Sequence, residues 1–140
     1  MTTGITAGTF DFCHAGHVLM LQECKKHCKR LIVALQTDPT IDRPEKNKPI
    51  QSTFERYLQL KACRYVDEVV PYDTEHDLEN ILASLDVDVR FLSEEYRGRI
   101  DTGESICRRR SIEIRFNKRF HDYSSTELRN RIHESRNNSG

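Results

Sequence analysis

At 140 residues, 36% hydrophobic and 31% charged, the chain is of a size that folds as one domain, burying roughly two thirds of its unfolded surface around a single core. Lys plus Arg and Asp plus Glu balance at 22 each, which argues against a chain-wide electrostatic grip on nucleic acid or an anionic membrane and makes any anion site local. No apolar run approaches the roughly 20 residues of a membrane-spanning helix, and Met1 to Gly4 lacks the basic and apolar regions of a secretory signal, so the cytoplasm is the expected compartment. The cysteines at 13, 24, 28, 63 and 107 form an odd set without the spacing of a disulfide scaffold, and reduced thiols are expected.

In chain order, Ile5 to Phe10 is short and β-prone and runs straight into the turn Asp11 to His17. Beyond the turn Val18, Leu21, Cys24 and Cys28 share a helical face, and Lys25, Lys26, Lys29 and Arg30 supply cations towards the end, as the helix dipole prefers. A helix ending near Lys29 is predicted. Leu31 to Leu35 is a continuous apolar run of strand length, suited to a strand buried on both faces of a parallel sheet. Pro39, Pro44 and Pro49 remove donors and fix φ, so 38–51 reads as a long loop. Ser52-Thr53-Phe54-Glu55 has the form of a capping box and opens a helix as far as about Cys63. Val66 to Pro71 is a short strand. Thr74 caps the next helix, to about Leu85, with Leu78, Ile81, Leu82 and Leu85 on its buried face, and the strand Val87 to Leu92 follows. Ser111 to Phe116 alternates polar and apolar, the pattern of a strand with one wet face. Ser124-Ser125-Thr126-Glu127 opens a terminal helix, and residues 134–140 read as a polar tail. The alternation predicts a single α/β domain over 1–140, Rossmann-like and doubly wound, with a mainly parallel five-stranded sheet flanked by helices. Ligands of such a sheet bind beyond the carboxyl ends of its strands.

The turn after the first strand is where chemistry is expected. Thr9, His14, Gly16 and His17 sit at a helix N-terminus, whose unpaired amides and partial positive charge attract phosphate. Gly16 allows backbone to approach a ligand, and two imidazoles three residues apart can donate to phosphate oxygens from one crevice. Such a turn suits a polyphosphate.

Gly8-Thr9-Phe10-Asp11-Phe12-Cys13-His14-Ala15-Gly16-His17 resembles the GTFDxxHxGH signature of the cytidylyltransferases, the glycerol-3-phosphate cytidylyltransferases in particular. Two further stretches match in the same order: Arg64 to Val69 resembles RYVDEV, and Arg119 to Thr126 resembles RTxGISTT. The resemblance implies that a metal-bound CTP lies over the HxGH turn, against Gly8, Thr9, Phe10, Asp11 and Gly16, and that an acceptor phosphate attacks its α-phosphorus in line. It makes His14 and His17 donors to phosphate oxygens, Arg119 a phosphate ligand opposite them, and Ser125 and Thr126 further nucleotide contacts. Ser124 either caps its own helix through Glu127 or joins its neighbours at the nucleotide. A lysine of the proline-rich loop, Lys46 or Lys48, would neutralise charge in the transition state. Arg56 occupies the family's arginine position, and Asp11 and Asp38 match acidic positions near the nucleotide or its Mg²⁺. Arg64 would help to shape the site near a homodimer interface.

Two departures bear on specificity: Ser93-Glu94-Glu95-Tyr96 stands where the family often reads GDDW, and Asp122 replaces the glycine of RTxGISTT. Glu94, Glu95 and Tyr96 are thus candidates for the base or acceptor region. The expected ligands are CTP and a phosphorylated alcohol, glycerol 3-phosphate first, with Mg²⁺ or another divalent cation held mainly by the nucleotide phosphates. An adenylyltransferase of the same superfamily, using ATP, is the near alternative. The alternative from another class is a non-catalytic metal module, since Cys13, His14, His17, Cys24, His27 and Cys28 are tetrahedral-site ligand types clustered in sequence. Arg108-Arg109-Arg110 reads as a solvated edge or subunit contact rather than a nucleic-acid patch.

Overall fold

The computed structural model describes residues 2–98, 102–118, 121 and 123–138. Strands and helices alternate: β1 (Thr3–Gly8), α1 (Ala15–Lys25), β2 (Arg30–Gln36), a 3₁₀ turn (Pro39–Ile41), α2 (Thr53–Lys61), β3 (Glu68–Tyr72), α3 (Glu75–Ser84), β4 (Val89–Ser93), a second 3₁₀ turn (Glu94–Tyr96), α4 (Glu104–Arg109), β5 (Glu113–Asn117) and α5 (Ser125–Asn138). The five strands form one sheet in the order β3-β2-β1-β4-β5, with every pairing parallel. This is the doubly wound Rossmann-like arrangement the alternation predicts. The chain winds outwards from β1 to β3 and returns to the other side of β1 for β4 and β5. Its switch point, where such sheets bind ligands, therefore lies between the carboxyl ends of β1 and β4.

Side-chain alternation along β2 divides the core. Leu31, Val33 and Leu35 join Leu21 and Cys24 of α1, Cys28 just beyond it and Leu60 of α2 on one face. Ile32 and Ala34 join Leu78 and Leu82 of α3 and Cys107 of α4 on the other. Because both faces are covered, β2 reads as an unbroken apolar run. β3 is an edge strand, which is why Pro71 is tolerated within it. Ser52 and Thr74 cap α2 and α3 as their sequences require, each hydroxyl accepting the amide three residues on.

Four expectations need correction. α1 stops at Lys25 rather than near Lys29: Lys26 closes the helix with its amide turned to Gln22, Glu23 and Cys24, and Cys28 drops into the core beyond it. α4 has no counterpart in the sequence reading, because six residues are too few to show a period. It buries Cys107 and turns the arginine triplet into a helix end, where Arg108 pairs with Glu104 at 2.5 Å and Arg110 donates to the carbonyls of Leu82 and Leu85 at 2.5 and 2.8 Å. The 38–51 loop contains one 3₁₀ turn, capped by Asp38. α5 continues through Asn138, so the stretch from 134 read as tail is helical there, although polar and exposed. Among the described residues no helix is long and apolar enough to cross a membrane.

Candidate active site

The β1–α1 turn is organised by its own histidines. His14 is the N-cap of α1, and its Nδ1 accepts the Gly16 amide at 3.0 Å, while Nδ1 of His17 accepts the His14 amide at 3.3 Å. The pair forms a capping box in which imidazoles replace the usual hydroxyl and carboxylate. The rings stack with centroids 3.9 Å apart. With its Nδ1 accepting from backbone, the proton of a neutral His17 ring sits on Nε2, which can donate to a ligand. Burial, reinforced by His14, pushes the His17 pKa from 6.5 down to about 4. At neutral pH His17 is therefore an uncharged N–H donor. A Cβ on Gly16 would lie 2.7 Å from Cε1 of His121 and 2.9 Å from the carbonyl oxygen of Tyr123, so the glycine is required by the close approach of the segment that leads into α5.

Asp11 holds the surrounding loops. Its carboxylate accepts the amides of Ile50 and Gln51 at 2.9 and 3.0 Å and pairs with Arg129 of α5 at 3.0 Å. Its carbonyl oxygen accepts the Ser125 hydroxyl at 3.1 Å. The flanking Phe10 and Phe12 both have φ of 51°, a left-handed backbone that costs non-glycine residues energy and persists only where surroundings enforce it. With its carboxylate accepting from these three donors, Asp11 orders the loops around the site.

Over this turn, across the carboxyl ends of β1, β4 and β5, opens a cavity of about 820 Å³. Gly8, Thr9, Asp11, His14, Gly16, His17, Lys46, Tyr96, Ser124 and Ser125 line it, so residues distant in sequence converge on one cavity. Ser124 keeps its capping bond to Glu127, 2.9 Å from the amide, while Ser125 faces the cavity. Arg119 and Asp122 lie outside the described residues.

Eight expected site residues lie off the cavity wall. Phe10 is buried beneath it, its ring centroid 5.2 Å from that of His17. Arg56 is 1% exposed and donates to the carbonyls of Thr9, Gln36, Thr37 and Gln51, tying the ends of β1 and β2 to α2. It is a brace with no donor turned to a ligand. Asp38 accepts the amide and hydroxyl of Thr40, which hold its carboxyl below the ordinary range, and Lys48 reaches it at 4.0 Å. Lys46 lines the cavity, whereas Lys48 lies off its wall with its side chain 77% exposed. Glu94 pairs with Arg97, and Glu95 and Thr126 are exposed. Arg64 precedes β3, at the amino edge of the sheet and opposite the site, with its guanidinium over the Tyr65 ring.

The cavity also gathers residues that no motif marks, among them Gln36, Arg43, Glu75, Asn117, Lys118, His121 and Arg129. Asn117 is 9% exposed and donates to Cys24 Sγ at 3.2 Å. Its burial could be foreseen only by knowing where β5 ends. Among the described residues no three His, Cys, Asp or Glu side chains converge to hold a metal. Cys24 and Cys28 point into the core, and burial pushes the Cys24 thiol up to about 12.

A cytidylyltransferase-like family model matches residues 5–131. The glycerol-3-phosphate cytidylyltransferase of Bacillus subtilis is 30% identical over 128 residues, covering 91% of this chain and 95% of that protein. The bifunctional protein HldE of Granulibacter bethesdensis is 36% identical over 109 residues, 77% of this chain but 22% of HldE, so the chain spans under a quarter of that relative. The lipopolysaccharide core biosynthesis protein of Thermoplasma volcanium has the same fold, with a TM-score of 0.67 over 89% of this chain and 99% of that one at 23% identity. Matched along nearly its whole length, with its paired histidines at the head of α1 and its cavity at the switch point, this chain belongs to the cytidylyltransferase-like family.

Proposed function

We propose that the chain transfers CMP from CTP to a phosphorylated alcohol, glycerol 3-phosphate in the first place, giving a CDP-alcohol and pyrophosphate. The observation that carries this reading is the histidine pair, two imidazoles whose Nδ1 atoms accept backbone amides at a helix N-terminus lining the cavity. Glycerol 3-phosphate is supported by the Bacillus subtilis relative of matching length.

In the reaction an oxygen of the acceptor phosphate bonds to the α-phosphorus. The bond from that phosphorus to the bridging oxygen breaks, and its electron pair leaves with pyrophosphate. No covalent enzyme intermediate is needed. The chain's part is to align the groups and to stabilise the charge that shifts to the leaving oxygens. The neutral Nε2–H of His17, with His14 stacked beside it, does this without a proton transfer, and Lys46 supplies positive charge from the loop. A divalent cation such as Mg²⁺ would arrive on the triphosphate and offset its charge. Homodimerisation belongs to the same reading, and the exposed Phe54 and Leu58 of α2 are an apolar pair that a second copy would cover.

ATP is the second reading, because Asn117 does not separate the two bases: an exocyclic amine, which cytosine and adenine both carry, would satisfy its buried amide oxygen. The test is pyrophosphate release with Mg²⁺, glycerol 3-phosphate and each ribonucleoside triphosphate in turn. Release with CTP alone is expected. Release with ATP alone would replace the cytidylyl reading, and silence with all four would end both for this acceptor.

A further inference from the structure

We infer that the end of the cavity between β2, β3 and the start of α3 is the acceptor pocket, and that Gln36 is its specificity-determining residue, selecting phosphorylated polyols by a hydroxyl. The inference rests on the transfer reading for its ligand class, since that reading requires a phosphorylated alcohol beside the nucleotide.

Gln36 is the last residue of β2, at the carboxyl edge, on the face that Ile32 and Ala34 turn towards α3. It is 8% exposed and lines the cavity. Its Nε2 lies 3.5 Å from Oε1 of Glu75, at the limit of a hydrogen bond, and among the described residues Oε1 of Gln36 has no partner. The amide orientation follows from the neighbour: an ionised carboxylate only accepts, so the nitrogen faces Glu75 and the oxygen faces the cavity. A buried acceptor without a partner is rare in a folded protein and needs an explanation. A ligand hydroxyl supplies one.

The charges around it favour a neutral donor. Arg43 approaches the Glu75 carboxylate at 3.9 Å, which offsets the negative charge that would draw an ammonium. Arg43 and Lys46, both on the cavity wall, leave positive charge for the phosphate of the same molecule. An alcohol phosphate with a free hydroxyl beside the phosphorylated carbon fits both requirements, its hydroxyl at Gln36 and its phosphate towards the cations and histidines.

The test uses the full chain and two probes, glycerol 3-phosphate and 3-hydroxypropyl phosphate, which lacks the middle hydroxyl. Ligand-observed NMR titration without nucleotide should give wild-type protein at least about tenfold tighter binding of glycerol 3-phosphate, since a site built to bond a hydroxyl rejects the analogue without it. Gln36→Met, close in shape, should remove that preference by weakening glycerol 3-phosphate alone, with CTP affinity unchanged. Equal binding of the two probes by wild type, or equal weakening of both in the variant, would overturn the assignment. The wild-type comparison stands by itself should Gln36→Met not fold. Failure of the transfer reading shows separately, as hydroxyl-dependent binding without pyrophosphate release.

Discussion

Lowering the pH from 7 to 5 should destabilise this fold through His17 in particular. Its pKa is 6.5 in an unfolded chain and about 4 in the native state, because burial and the adjacent His14 oppose the charged ring more than Asp11 supports it. The unfolded chain therefore binds the proton first as pH falls, and the native state loses ground from about pH 6.5 downwards until its own ring titrates near 4. The penalty is absent above that window. Linkage between these two pKa values gives a loss of about 2 kcal/mol between pH 7 and pH 5. Urea denaturation at the two pH values measures it, in wild type and in His17→Asn, whose side-chain oxygen can still accept the His14 amide but does not titrate. The variant should lose about 2 kcal/mol less than wild type over the same interval. Equal losses would mean that His17 is not held neutral by its surroundings, and the argument for an uncharged donor at the phosphates would fail.

Gly16→Ala places a Cβ 2.9 Å from the Tyr123 carbonyl; the approach to α5 must shift, with a loss of about 1–3 kcal/mol in urea denaturation and a raised KM for CTP. Asp11→Asn weakens the pair with Arg129 and the bonds to Ile50 and Gln51, and should cost about 1–3 kcal/mol, with proteolysis of the 38–51 loop accelerated. Arg56→Met leaves four buried or half-buried carbonyls short of a donor; a loss of about 3 kcal/mol or more is expected by thermal melting, while kcat/KM well below the melting point stays within about threefold. A larger kinetic loss would return Arg56 to substrate contact. Arg64→Ala should change kcat/KM by less than about twofold, and a tenfold loss would mean that a second copy brings this arginine to the site.

Hydrophobic period, capping residues and proline placement determine this architecture within the chain itself. The apolar run Leu31 to Leu35 implies a strand covered on both faces, Ser52 and Thr74 announce α2 and α3, and the His14 to His17 turn stands out through residue type and spacing as a candidate phosphate site, because each of these signals is local. α4 escapes the same reading since six residues carry no period, and α5 exceeds it because polar helices advertise no buried stripe. The division of labour within the site is a tertiary matter. Arg56 and Lys46 are both cations near matched motifs, yet burial among backbone carbonyls makes one a brace and position on the cavity wall gives the other its access. Arg64 sits in a matched motif at the wrong edge of the sheet, which only strand direction reveals. Gln36 and Asn117 bear no motif; their meaning comes from being polar, buried and turned into a cavity that exists only once β1, β2, β4 and β5 have been brought side by side.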